Sequence, residues 1–162
     1  MADLQKSIEI GLTQKDRDGI TRILNVLLSD EYVLYTKTRK YHWNVVGMTF
    51  MDLHKFFEAQ YEELDGFVDD IAERNRSIGG TAFGTMKEFL DNTRLKENPG
   101  RNPEAEAMIA VLLADHERII QSLRADLETV QAKYHDVGTC DFLTGLMEKH
   151  EKMAWMLRAY LQ

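Results

Sequence analysis

Pro99 and Pro103 are the only two prolines in the chain, and both stand in one short segment, Asn98-Pro99-Gly100-Arg101-Asn102-Pro103. Proline removes a backbone donor and breaks a helix interior, so this is the one stretch where the sequence forbids a helix to continue. On either side the apolar residues recur with helical period. A first long helix is predicted from about Asp16 to Trp43, with Ile20, Ile23, Leu24, Leu27, Leu28 and Leu34 as its stripe. A second covers 50–78, carrying Phe50, Leu53, Phe57, Leu64, Val68 and Ile71, with Thr49 as candidate N-cap and Gly79-Gly80 as the stop. Thr85-Met86-Lys87-Glu88 has the form of a capping box and opens a short helix through about Asn92. A third long helix is expected from Pro103, a favourable starting residue, to about Lys133, and a last one from about Cys140 to Leu161.

Short links make antiparallel neighbours, whereas the second and third long helices are joined by a long segment that holds the short helix. One long crossover is the mark of ferritin-like bundles. The expected fold is therefore all-α: a ferritin-like four-helix bundle with a short extra helix in the crossover. Residues 1–162 read as a single domain opened by a short N-terminal arm, 1–15. No signal segment opens the chain and no apolar run reaches membrane-spanning length, so a cytoplasmic protein with no membrane partner is expected. Cys140 is the only cysteine, which excludes an internal disulfide and a cysteine-rich zinc site within one chain.

Two imidazoles and three carboxylates, His42, His54, Glu58, Asp69 and Glu73, form an inventory that suits a transition metal. His54 and Glu58 are i,i+4 neighbours on the second helix, as are Asp69 and Glu73, so each pair projects side by side. Glu58 and Asp69 share a face, yet they stand about 16 Å apart along the axis, too far for ligands of one ion. A second copy of the helix, packed antiparallel across a two-fold axis near positions 63 and 64, removes the difficulty. Position i then meets 127 − i, so His54 faces Glu73 of the partner and Glu58 faces Asp69, giving two equivalent sites per dimer. His42, just before the turn Asn44-Val45-Val46-Gly47, is expected beside His54. Glu62 and Asp65 approach each other under the same rule, as outer groups or as part of a solvated face. Such donors bind Fe(II), Mn(II) or Zn(II), and the residues alone do not choose among them. True ferritins place Glu-x-x-His inside one bundle; none of the five histidines here has Glu three residues before it, so no intrasubunit site is expected.

The run His42-Trp43-Asn44-Val45-x-Gly47, then Phe50, Leu53-His54, Phe57-Glu58, Asp69-x-x-Ala72-Glu73-Arg74 and Ile78-Gly79-Gly80, closely resembles the Dps family of twelve-subunit mini-ferritins. The resemblance extends through Thr85–Leu90 to the tail Trp155–Leu161, nearly the whole chain. It implies that His42, His54 and Glu58 are ferroxidase ligands from one subunit and that Asp69 and Glu73 come from its two-fold mate; many relatives have Asp where this chain has Glu58. The implied activity is ferroxidase: oxidation of iron, preferably by hydrogen peroxide with dioxygen as the other oxidant, and storage of ferric mineral in a hollow dodecamer of 23 symmetry. Zn(II) and Mn(II) remain competitors for the site. Trp43 would lie near the metal, with core packing as the alternative, and Asp136 and Asp141 would line acidic three-fold entry pores, with a polar turn and N-cap as the alternative. Cys140 has no counterpart in that pattern, and His116, His135 and His150 read as structural or surface residues.

A nucleoid-associated protein that shields DNA by direct binding is the rival reading. Against it, the net charge is −7, and the arm balances Lys6 and Lys15 with Asp3 and Glu9. Phosphate binding needs more cations than that.

Overall fold

The computed structural model describes residues 8–162, whose regular secondary structure is all helical. The helices are α1 (Gln14–Asn44), α2 (Phe50–Ser77), α3 (Met86–Asn92), α4 (Ala105–Thr129) and α5 (Val137–Ala159), with a π-helical turn, Val130–Tyr134, between the last two. Residues 1–7 of the N-terminal arm lie outside the described residues.

Contacts between the helices give their directions. Tyr35 and His42 of α1 meet Tyr61 and His54 of α2, so these helices are antiparallel. Lys37 pairs with Asp115, and Gly19 lies against Tyr134, so α4 is antiparallel to α1 as well. Helices α2 and α4 therefore run the same way, and only a long crossover can join them. Their shared core includes Leu24, Leu27 and Leu34 from α1, Phe57, Leu64 and Phe67 from α2, Leu112 and Ile119 from α4, and Leu143 and Leu157 from α5.

Local chemistry sets the helix ends. Thr13 caps α1 by accepting from the Asp16 N–H at 3.2 Å. The expected cap at Thr49 is not made, because that side chain bonds no N–H of α2. Gly79 ends α2 with φ +87°, a conformation that favours glycine. Its N–H reaches the Arg76 carbonyl and the Gly80 N–H reaches Asn75, each at 2.9 Å, in a Schellman arrangement. Thr85 and Glu88 form the predicted capping box of α3. Pro103 precedes α4 rather than opening it, since the cap position falls at Glu104.

Two expectations, one about a stripe and one about a link, need correction. Phe50 is exposed and the inward face of α2 passes through Gln60, Phe67 and Asn75 as well as the predicted Leu53, Phe57, Leu64 and Ile71. The last link is also earlier and tighter than read: the π turn ends at His135, with φ +52°, and α5 starts at Val137 instead of Cys140.

A row of polar residues on α1 fastens the crossover. Asn25 donates to the Thr81 carbonyl at 3.0 Å and accepts from the Phe83 N–H. Asp30, fully buried, accepts from the Arg94 N–H and guanidinium. Lys37 donates to the Lys96 carbonyl at 2.7 Å and pairs with Asp115. Packing onto α1 is aromatic, with Phe89 of α3 stacked on Tyr32 at 4.3 Å.

Gly19 is required by close approach, because a Cβ there would overlap the hydroxyl and ring of Tyr134. Gly19→Ala is expected to destabilise the protein by about 1–3 kcal/mol through overpacking, read as a lower urea midpoint with an unchanged slope.

Candidate metal centre

The turn between α1 and α2 brings His42 and His54 together. Their rings stack with centroids 3.8 Å apart. His42 Nδ1 lies 2.8 Å from the His54 carbonyl and His54 Nδ1 lies 2.9 Å from the His42 carbonyl, a reciprocal pair that closes the helix corner. A carbonyl only accepts, so each Nδ1 carries the proton, and each Nε2 keeps the lone pair a metal needs. Carbonyl partners of this kind fix the tautomer and orientation of a ligating histidine. Phe50 covers the outer side of His54 at 5.1 Å, and Tyr61 stands edge-on to His42 at 5.2 Å.

Glu58 follows His54 by one helical turn and is half-buried. Its carboxylate accepts from Lys55 at 2.6 Å. That hydrogen bond holds the Glu58 carboxyl below its ordinary range. Asp69 and Glu73 are farther along α2, exposed, and their side chains make no hydrogen bond or ion pair among the described residues. Glu62 and Asp65 are exposed between them. Together these make a stripe of carboxylates, Glu58, Glu62, Asp65, Asp69 and Glu73, along one outward face. Among the described residues no three His, Cys, Asp or Glu side chains are arranged to hold a metal ion within one chain.

Trp43 points outward and is 64 % exposed, so core packing is not its role. Its indole, Tyr35 and Tyr61 surround the Arg39 guanidinium at 5.3–5.7 Å. The sequence reading missed Tyr61 and Arg39, although Tyr61 stands two turns from His54 on the same face of α2.

Asp136 and Asp141 occupy different environments. Asp136 is buried and caps α5: it accepts from the Thr139 N–H at 3.2 Å and hydroxyl at 2.5 Å, and pairs with Arg74 at 3.1 Å. Burial alone would raise its pKa, but the Thr139 and Arg74 contacts bring the carboxyl below its ordinary value. Asp141 is exposed, and with His135 and Cys140 it borders a hollow at the start of α5. Burial, then Asp136, pushes the Cys140 thiol up.

His116 and His150 are buried structural residues, as read, and they meet: their Nδ1 atoms lie 2.9 Å apart inside the bundle. They are 34 residues apart on separate helices, so spacing along one helix could not reveal the pair. His135 is exposed, as read.

Comparison with known proteins agrees with this architecture. The ferritin-like domain family matches residues 21–162. A low temperature-induced protein of Nostoc sp. is 48% identical over 155 residues, covering 96% of this chain and 87% of its own length. DpsC from Streptomyces coelicolor superposes with a TM-score of 0.93 at 30% identity, covering 97% of this chain and 91% of that one. The Dps protein of Vibrio cholerae O1, described as a member of a broad superfamily of ferritin-like diiron-carboxylate proteins, gives 0.90 at 27% identity, with 99% and 100% coverage. The chain belongs to the ferritin-like family and, within it, to the Dps proteins.

Proposed function

We propose that this protein oxidises Fe(II) and stores the ferric product, with each oxidation site shared by two subunits across a two-fold axis. The observation that carries the reading is the His42/His54 pair. Both Nδ1 atoms are tied to backbone carbonyls, which leaves Nε2 of each ring as the nitrogen a metal can use. They lie at one end of an exposed helix face whose other end carries the carboxylates of Asp69 and Glu73, which have no partner among the described residues. Under the 127 − i register the two ends of one helix meet the opposite ends of its copy, and His42, His54 and Glu58 of one chain face Asp69 and Glu73 of the other. Trp43, Val46, Met48 and Met51 form an exposed apolar patch beside the histidine pair. A patch of this kind supports burial against a second subunit.

Iron fits the donor set. Imidazole nitrogens hold Fe(II), and carboxylates stabilise the more highly charged Fe(III). In the proposed reaction two Fe(II) give one electron each to a hydrogen peroxide, its O–O bond breaks, and both oxygens leave as water or hydroxide. Pairing the electrons avoids release of hydroxyl radical. The assembly proposed is a hollow cytoplasmic dodecamer of 23 symmetry, with Asp141 at the three-fold entry pores and Asp136 shaping them from its capping position. Anaerobic loading with Fe(II) followed by peroxide tests the activity: ferric absorbance is expected at once, with about two Fe(II) oxidised per peroxide and faster than with dioxygen. A ratio near one, with hydroxyl radical trapped, contradicts the reading.

Direct DNA binding is the second reading, and the charge distribution disfavours it. With a net charge of −7 per chain, binding is expected to be lost in a gel-shift assay at about 150 mM salt, since electrostatic affinity falls steeply with salt. A complex that survives that salt favours the nucleoid role.

A further inference from the structure

Glu31 of α1, His116 of α4 and His150 of α5 meet inside the bundle, all three fully buried. His150 stands in the middle. Its Nε2 lies 2.8 Å from Glu31 Oε1, and its Nδ1 lies 2.9 Å from His116 Nδ1. The Glu31 contact is close but not aligned as a hydrogen bond, so both Glu31 oxygens and His150 Nε2 lack one, as does His116 Nε2. Among the described residues, no other charged group touches the three. Helix α2 presents the Phe67 ring to His150 at 5.4 Å. Lys149 of α5 lies 4.9 Å from that same ring, and Asp115, next to His116, faces Lys37.

Two imidazole nitrogens at this separation attract only when one carries a proton and the other a lone pair. A buried carboxylate also requires a positive neighbour, and His150 is the group in contact with Glu31. Both conditions hold in one arrangement. His150 is then a cation whose Nδ1–H points to His116 Nδ1 and whose charge lies beside Glu31 Oε1, while His116 is neutral with its proton on Nε2. The cluster then has no net charge. Another proton on His116 would set two N–H groups against each other and bury an uncompensated cation, with no acceptor in reach of Nε2.

We propose that Glu31, His150 and His116 form an acid-sensitive lock that holds α1, α4 and α5 together while His116 is neutral and releases them when His116 takes up a proton. Burial, and then the charge of His150, push the His116 imidazole well below its ordinary value. With the folded pKa below the unfolded one, the unfolded chain binds more protons. The contribution is therefore complete above the unfolded value of about 6.5 and is lost as the pH falls below it.

The test uses the intact protein at fixed concentration, with urea unfolding followed between pH 7.5 and 5. His116→Asn keeps an acceptor near the Nδ1 position and does not titrate. Below pH 6.5 the folding constant of the native protein is expected to fall more steeply than that of H116N, by up to about tenfold per pH unit. Equal pH dependence in the two proteins overturns the proposal. If H116N does not fold at pH 7.5, deuterium exchange at the imidazole C2 positions of the native protein decides, with exposed His135 as the reference. His116 is expected to remain neutral until the bundle unfolds. Titration of His116 near 6.5 in the folded protein overturns the lock.

Discussion

Glu73→Ala is expected to abolish rapid ferroxidation while leaving the subunit folded. The carboxylate is exposed and has no partner among the described residues, and surface changes of this kind are usually within about 0.5 kcal/mol. Loss of groups that merely orient a metal ligand lowers metal affinity by about 10–100-fold; removing a ligand should cost at least the upper end of that range. His54→Ala should give the same loss of activity with a small additional loss of stability, because it also removes the contact to the His42 carbonyl. Stopped-flow ferric absorbance after peroxide addition, with circular dichroism as the fold control, checks both variants. Native rates in Glu73→Ala would remove that residue from the site.

Asp30→Ala is expected to have the largest effect on stability. Asp30 is fully buried, accepts from the Thr93 hydroxyl at 3.0 Å and the Arg94 N–H at 2.5 Å, and pairs with the Arg94 guanidinium at 2.6 Å. Arg94 continues to Asp126 of α4 at 3.0 Å. One carboxylate thus joins α1, the crossover and, through Arg94, α4. Breaking a buried pair by removing one partner costs about 3–5 kcal/mol, a large share of the roughly 5–15 kcal/mol that stabilises a domain. A urea titration should show the lower midpoint, and size-exclusion chromatography should show whether the loosened crossover also weakens assembly. A double change, Asp30→Leu with Arg94→Met, is expected to recover part of the loss because no buried charge is left alone. A single variant within 1 kcal/mol of the native protein contradicts this role for the pair.

The sequence carried the helices because period and end signals agree there. Proline is confined to one loop, Thr85 and Glu88 build a capping box, and Gly79 adopts the left-handed conformation that stops α2. The turn at Asn44–Gly47 likewise implied the nearness of His42 and His54, since short links return a chain upon itself. What remained hidden depends on side chains from separate helices. His116 and His150 have no local pattern that joins them, and Asn25, Asp30 and Lys37 looked like ordinary polar positions on a long helix until the crossover lay against them. Trp43 was ambiguous for the same reason: an indole beside a histidine packs inward or outward according to what neighbouring helices leave free, and here Arg39 holds it at the surface.

The central claim, that each site draws ligands from two chains, is tested most directly by co-expressing His54→Ala and Asp69→Ala subunits carrying different tags. Each variant alone should oxidise Fe(II) slowly. In a mixed dimer both losses fall on one site and the other site is intact, so isolated mixed dimers should recover about half of the native sites by two-fold symmetry. Fast peroxide-driven oxidation in verified mixed dimers, at about half the native amplitude, is the predicted result; no recovery above either parent would contradict a shared site.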